Sequence, residues 1–585
     1  MNNPQFEIKH KDIGARIGLV EINKKRIETP LIMPVVSVKS QGIPASELYE
    51  KFKVQSVMTN AYIIWQNEDL RERVIEEGIH KFLNFDGVVA TDSGSYQLMA
   101  YGNVLASNRQ IVEFEDKIGT DIGSFLDVPS MPDAYKPRAE DQLEITLGRA
   151  DETLSINPSF VVNGGIQGAR YTDLRQRAAY EISQKFDLVA IGGIVKFMES
   201  YRFSELFDII AAVKEQIPAN KVVHAFGLGH PMVFPFAVAM GCDIFDSAAY
   251  ALFAREGRYM TEYGTEKIDE IDYLPCCCPV CSKYDVTDIR SKSHEEKTRL
   301  ISMHNLYVTF EEMNRVKTAI KEGSLWELIQ ARAHVHPALF AGFKAMLKHS
   351  GYYSELDPIT KKTAFFYTGA ESGKRTEILN AQKRLKRVSG SSELKDIIPF
   401  GSVPCEISEL YPFGSMIHPS LYSEEQYYPG FYDKYNLTDI EIFKKIMDYQ
   451  FGEGAGDLVD EFKKIRIKRS RKTKRMRWVY SGKELIASIR ASDHFIIPKE
   501  PVVKKIHEKF KYPLNRVVIE DDAVPFVREG KSVFAKFVTG IDPDLRAGDE
   551  VIVVDKNDAL VGSGNLLLAP KEAMDFKRGA AVNTR

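Results

Sequence analysis

Three aspartates each follow a short apolar run: Asp92 behind 87–91, Asp127 behind 121–126 and Asp246 behind 244–245. A strand that ends in a carboxylate presents an acid at the mouth of a barrel or open sheet, placed for proton transfer or nucleophilic attack. Aspartate there also caps the next helix, so each one alone admits a second reading. Other apolar runs lead into glycine: Gly164-Gly165-Ile166-Gln167-Gly168, Gly192-Gly193 and Gly227-Leu228-Gly229. Small residues at strand ends let a flat ligand approach the backbone, although a glycine pair alone also makes an ordinary tight turn. A second chemistry lies downstream. Cys276, Cys278 and Cys281 form Cys-x-Cys-x-x-Cys, and His304 follows a charged helical segment. Three thiolates and an imidazole close a tetrahedral shell, the donor set of a structural zinc ion that fixes the chain and does not activate water. Cys277 is expected to pack or to support the ligands, and His230, before Pro231, reads as a turn residue.

These residues need a scaffold that brings many strand ends to one face. Runs at 31–36, 54–59, 87–91, 121–126, 160–163, 188–191, 222–226 and 244–245 are β-rich. Segments between them, such as 171–185 and 203–216, show the i, i+3, i+4 apolar spacing of amphipathic helices. Eight strands in this order predict an α/β chain built on a (β/α)8 TIM-type barrel. A doubly wound open sheet is the alternative, but its glycine signature after the first strand is absent. Residues 301–349 read as helical and close a first domain, 1–349, with the zinc-binding segment inserted in it.

Beyond it the character changes. Smaller α+β domains are expected at 350–435 and 436–504, and a compact β-rich domain at 505–585. Residues 463–477, KKIRIKRSRKTKRMR, carry ten Lys or Arg in fifteen positions. Such a run commonly forms a solvated face or a disordered tail; bordered by the strand-like Trp478-Val479-Tyr480, it also suits contact with RNA phosphates.

Composition sets the limits. At 585 residues the chain exceeds a single core, and 44% hydrophobic with 27% charged residues is ordinary for a soluble globular protein. A net charge of −3 excludes a globally basic nucleic-acid coat but not a local basic patch. The N-terminus lacks an apolar core and cleavage site, no stretch reads as a membrane span, and the clustered cysteines suit a reducing compartment. A cytoplasmic protein is expected.

The motifs DSGSYQ at 92–97, FLDVPS around Asp127, GGIQG at 164–168, AIGGIV at 190–195 and FDSA at 245–248, with the cysteine and histidine pattern, span most of residues 1–350. Together they resemble the tRNA-guanine transglycosylases. AVPFVREGKSVFAKFV, followed by RAGDEVIVVD, resembles a PUA domain, an RNA-binding module. A barrel with long C-terminal extensions ending in PUA looks like the archaeal branch. The resemblance implies replacement of guanine at position 15, in the D-arm of tRNA, with 7-cyano-7-deazaguanine on the way to archaeosine. It also implies one structural zinc per chain, a homodimer, and site roles. Asp127 reads the amide–amine edge of the base, with Gln167 and the Gly192 and Gly193 backbone completing the polar frame. Ser93 belongs to the same substrate site, and Tyr96 stacks on the base. Asp246 is the expected covalent nucleophile and Asp92 the acid/base group, although both stand at strand ends and the sequence does not separate them. Bacterial members usually read Asp-Ser-Gly-Gly where this chain has Ser95, which bears on the geometry of that turn.

The residue types suit that reaction. A carboxylate that attacks the anomeric carbon of ribose holds the RNA covalently while the base leaves, and a second acid serves each departing and entering base. A base must leave the stack to be attacked, so an aromatic platform is expected. Three other readings compete. In a tRNA-binding paralogue without base exchange, three strand-end acids would be idle. The C-terminal domains count against an anticodon-wobble transglycosylase of the queuosine type. A sugar-directed barrel glycosidase does not account for the basic run and PUA-like tail.

Overall fold

Three antiparallel strands open the chain, β1 (Gln5–Asp12), β2 (Ala15–Ile22) and β3 (Lys25–Thr29). Eight parallel strands follow: β4 (Leu31–Pro34), β5 (Ser56–Asn60), β6 (Val88–Asp92), β7 (Ile122–Ser124), β8 (Val161–Ile166), β9 (Leu188–Ile191), β10 (Val222–Ala225) and β11 (Ile244–Ser247). A computed structural model describes residues 3–39, 42–95, 105–390, 393–419 and 437–585. They belong to two units, Met1–Lys321 with Leu328–Met346, and Glu322–Glu327 with Leu347–Arg585. In the first unit the parallel strands run in the order β4-β11-β10-β9-β8-β7-β6-β5. A bridge between Val35 and Met58, with Val36 N donating to Met58 O at 2.7 Å, joins β4 to β5 and closes the ring. The expected (β/α)8 barrel is therefore present, and the helices Thr172–Lys185 and Phe203–Gln216 stand where the apolar spacing predicts them.

The strand ends differ in detail from the sequence expectation. The fourth run shrinks to three residues, and Phe125-Leu126 curl away before Asp127, whose amide donates to Phe125 O at 2.9 Å. Gly164 and Gly165 lie inside β8, not in a turn after it. Packing supplies the reason. A Cβ on Gly164 would come within 2.7 Å of Ile182 and Phe186 on the covering helix, and one on Gly165 within 2.7 Å of Asp127 Oδ2. Alternation sends the first outward and the second toward the site. Asp246 likewise sits within β11.

The β1–β3 sheet was not singled out by the apolar pattern. It covers the N-terminal end of the barrel, where Arg16 pairs with Asp243 at 2.6 Å, both buried, and Lys25 with Asp121 at 3.0 Å. Both aspartates directly precede barrel strands. The C-terminal ends are thus the open face, as barrel enzymes require.

The second unit contains a four-stranded antiparallel sheet, Ile465–Arg469, Met476–Ser481, Glu484–Ile489 and Ile496–Pro498. A six-stranded sheet built from strands between Arg516 and Thr584 follows. The basic run folds because Ile465, Ile467 and Val479 alternate with its cations and pack on the core. Among the described residues no helix is long and apolar enough to cross a membrane.

Candidate active site

A cavity of about 480 Å³ opens among the C-terminal strand ends and is lined by Asp92, Ser93, Ser95, Asp127, Gln167 and Asp246, among others. Ligand pockets commonly have this size. The structure brings the three predicted aspartates together with Gln167, Gly192, Gly193 and Ser93. Tyr96, expected to stack on the base, lies outside the described residues.

Asp246 does not cap the helix Ala249–Arg255, since the residue before Ala249 makes no side-chain cap bond. Asp92 ends β6 and is held on both sides. Its Oδ1 accepts from Gly94 N at 3.1 Å and its Oδ2 from Asn60 Nδ2 at 2.9 Å. Asn60 in turn uses its Oδ1 to cap the helix Ala61–Gln66 through Ile63 N, so one helix start orients the acid. Burial, reinforced by the neighbouring Asp127 and Asp246 charges, pushes Asp92 up to about 7. At neutral pH it is divided between acid and base forms, which is what a proton-transfer group needs.

Asp246 is treated differently. Among the described residues both of its hydrogen bonds fall on Oδ1, from His224 Nε2 at 2.9 Å and Gly227 N at 2.6 Å. Asn163 Nδ2 lies 2.9 Å from His224 Nδ1 and donates to it, leaving the ring proton on Nε2, aimed at Asp246. His224 and Asn163 are 1% and 2% exposed. Two donors on one oxygen hold the side chain in one rotamer.

Asp127 accepts from Gln167 Nε2 and from the Ser95 hydroxyl, while burial raises its carboxyl above the usual range. Ser95 answers the question that the sequence raises at this turn. Its hydroxyl is 3.1 Å from Ser93 Oγ, and Ser93 donates to Phe125 O at 3.0 Å, so the loops after β6 and β7 are stitched together beside Asp127. Close approach requires glycine opposite: a Cβ at Gly192 would lie 2.3 Å from Gln167 Nε2. Among the described residues Gln167 Oε1 is buried without a partner, an acceptor positioned for a polar ligand. Beneath this frame the buried Arg175 donates through Nη1 to Ile166 O at 2.7 Å and Gly192 O at 2.8 Å, tying the β8 and β9 loops together.

The sequence pattern does not mark Asn60, Asn163, Arg175 or His224 as part of the site. Asn163 and His224 did carry a signal, since a polar residue inside a short buried strand must find a partner. His230 is a turn residue as expected: its Nδ1 accepts from Met232 N at 3.3 Å, and burial lowers its pKa to about 4.

Cys276, Cys278, Cys281 and His304 converge, with their ligand atoms all within 4.8 Å of one another. Cys278 Sγ lies 3.6 Å from Cys281 Sγ, and His304 Nδ1 lies 3.3 Å from Cys281 Sγ. Zn–S bonds of about 2.3 Å in a tetrahedron require sulfur separations of about 3.8 Å, so the four residues fit such an ion. His304 donates from Nε2 to Met260 O at 2.8 Å, which leaves the Nδ1 lone pair to the cluster. Tyr259 stacks on the imidazole at 3.6 Å between centroids. Cys277 is exposed, contrary to the packing role expected for it, because its two neighbours turn toward the cluster and it turns away.

A family profile described as queuine tRNA-ribosyltransferase matches residues 11–338. Profiles for the patch-forming domain C2 of tRNA-guanine transglycosylase and for the PUA domain match 441–513 and 515–585. The chain is 44% identical over 585 residues to the tRNA-guanine(15) transglycosylase of Pyrococcus furiosus, covering 99% of this chain and 97% of the relative. It is 43% identical to that of Thermococcus kodakarensis (99% and 98% covered) and 40% to that of Methanocaldococcus jannaschii (99% of each).

Proposed function

The chain belongs to the tRNA-guanine transglycosylase family, whose members are pentosyltransferases, and on that premise we propose that it replaces guanine at position 15 of tRNA with 7-cyano-7-deazaguanine. The observation that carries the reading is the contrast between two cavity carboxyls. Asp246 is held by two donors on Oδ1, and Asp92 is poised near neutrality.

In the first displacement an Asp246 carboxylate oxygen bonds to ribose C1′ as the bond from C1′ to guanine N9 breaks. Asp92 delivers a proton to the departing guanine. In the second, the entering base loses its N9 proton to Asp92, its N9 bonds to C1′, and the Asp246–C1′ bond breaks. Two inversions restore the original configuration, and no phosphodiester is cut. Asp127 accepts from the N–H and amine edge shared by guanine and its 7-deaza analogue, with Gln167 and the Gly192 and Gly193 backbone beside it. Ser93 and Ser95 hold Asp127 in place, and Tyr96 is proposed as the stacking ring. Cys276, Cys278, Cys281 and His304 would hold zinc, which supplies a rigid cross-link and no step of the reaction. The PUA module would grip RNA, and a cytoplasmic homodimer completes the proposal.

The test pairs base exchange with adduct trapping. Wild-type protein should incorporate labelled 7-cyano-7-deazaguanine at position 15, and Asp246→Asn and Asp92→Asn should each lose about 10²-fold or more. A denaturing gel should retain a protein–RNA adduct with wild type and none with Asp246→Asn. An adduct that persists in Asp246→Asn and vanishes in Asp92→Asn reverses the two roles. Incorporation mapping to the anticodon overturns the position-15 assignment.

A further inference from the structure

The strands Ile465–Arg469 and Met476–Ser481 place two cations and two aromatic rings on one sheet face. The register pairs Arg466 with Tyr480 and Lys468 with Trp478, then Trp478 with Ser488 and Ser488 with Ile497. Cross-strand partners point to the same side, so these residues form one surface while Ile465, Ile467 and Val479 pack on the core from the other. Trp478 is 39% exposed, and its neighbour in the row, Ser488, is too short to cover an indole. The Arg466 guanidinium lies 5.3 Å from the Tyr480 ring centroid and the Lys468 ammonium 5.0 Å. Among the described residues neither cation has a carboxylate partner. Arg469 on the same strand does, its Nε donating to Asp439 Oδ1 at 3.0 Å. Unpaired cations around an exposed indole, in a chain of net charge −3, match a ligand that is anionic along its length and flat at intervals.

We propose that this face is a stacking platform for an unpaired nucleotide of the RNA substrate, with the base on Trp478 and adjacent phosphates on Arg466 and Lys468. The proposal rests on the reading of tRNA as substrate and adds where, outside the barrel, the chain meets unpaired bases. A duplex buries its base faces and could satisfy the cations but not the indole, whereas a single-stranded or looped segment satisfies both. An apolar protein partner would leave Arg466 and Lys468 desolvated and unpaired, which is costly.

The experiment measures full-length tRNA affinity by fluorescence anisotropy across a salt series, with the whole chain. Trp478→Ala should raise Kd by about tenfold or more without changing the slope of log Kd on log salt. Trp478→Phe should recover most of that loss. Arg466→Ala and Lys468→Ala should each reduce the slope by about 0.7–0.9. Lys472→Ala, an equal charge change in the hairpin turn, should stay within about twofold of wild type at fixed salt. Unpaired RNA should compete for the site, and fully paired RNA of equal length should compete less well. The proposal is overturned if Trp478→Ala binds tRNA as wild type does, if Trp478→Phe is as weak as Trp478→Ala, or if duplex competes equally. A sedimentation change showing that Trp478→Ala breaks self-association overturns it in favour of an interface between copies. Base exchange at saturating tRNA is measured alongside: its absence in wild type defeats the proposed function, whereas these affinity outcomes bear on the platform alone.

Discussion

Asp92 and Asp246 are the same side chain, and their surroundings set them apart. Asp246 receives its donors from a histidine 22 positions upstream, itself held by an asparagine a further 61 positions upstream. Asp92 receives one backbone N–H and one amide, which do not offset its burial and like-charged neighbours. The sign of the resulting pH effect follows. The folded protein retains a proton on Asp92 that the unfolded chain releases between about 3.8 and 7, so stability from this site is greatest in acid and falls as pH rises through that window. Asp92→Asn, which cannot ionise, should therefore raise Tm more at pH above 7 than at pH 5, while exchange activity collapses; calorimetry and base-exchange rates check both. In the wild-type enzyme kcat/KM for tRNA should fall as pH rises through about 7, the pH at which the free site loses its acid. The sequence made the three aspartates and Gln167 legible, because each stands at or near a strand end. His224 and Asn163 were not legible as a pair, because their meeting depends on β8 and β10, with β9 between them, facing the same interior.

At the scale of elements, the cysteine and histidine cluster joins a short turn at 276–281 to the long helix His294–Glu322 that carries His304. The hairpin Arg258–Met260 with Thr265–Lys267 is bound to the same cluster through Met260 O and Tyr259, whose hydroxyl lies 3.2 Å from Cys281 Sγ. Val280 is the one residue of this turn buried in the neighbouring core, so a closed metal shell would carry much of the turn's order. One zinc ion per chain is expected by elemental analysis. Chelation should increase hydrogen exchange at 258–291 before it affects β4–β11, and zinc should restore protection. The four residues that converge were legible from spacing alone, and so was the turn of Cys277 away from them; its exposure was not, since that follows from the path the turn takes around the cluster.

At the scale of the whole molecule, the C-terminal module is fastened into its unit and is not a loose tail. Arg384 Nη2 meets Asp549 Oδ2 at 2.6 Å with both side chains buried, and Arg546 Nε donates to Ser354 O at 2.8 Å. Removing one member of a buried pair strands the other charge, so Arg384→Ala should destabilise the second unit by about 3–5 kcal/mol in denaturant unfolding. Replacing both Arg384 and Asp549 with apolar residues of similar size should cost much less. Truncation near residue 514 is for the same reason a test of folding as well as of RNA grip, and point variants on exposed faces separate the two.

The order of strands, the three strand-end acids and the cysteine and histidine spacing were determined by the sequence itself, because periodicity and spacing are local properties that survive without knowledge of neighbours. Tertiary structure alone decided that Gly164 and Gly165 belong to a strand, that His224 and Asn163 hold Asp246 while Asn60 holds Asp92, and that the basic run is half of a sheet face. The reason is common to all of these. Hydrogen bonding and desolvation at a buried group are set by side chains tens of positions away, and they meet only when the barrel and the sheet close.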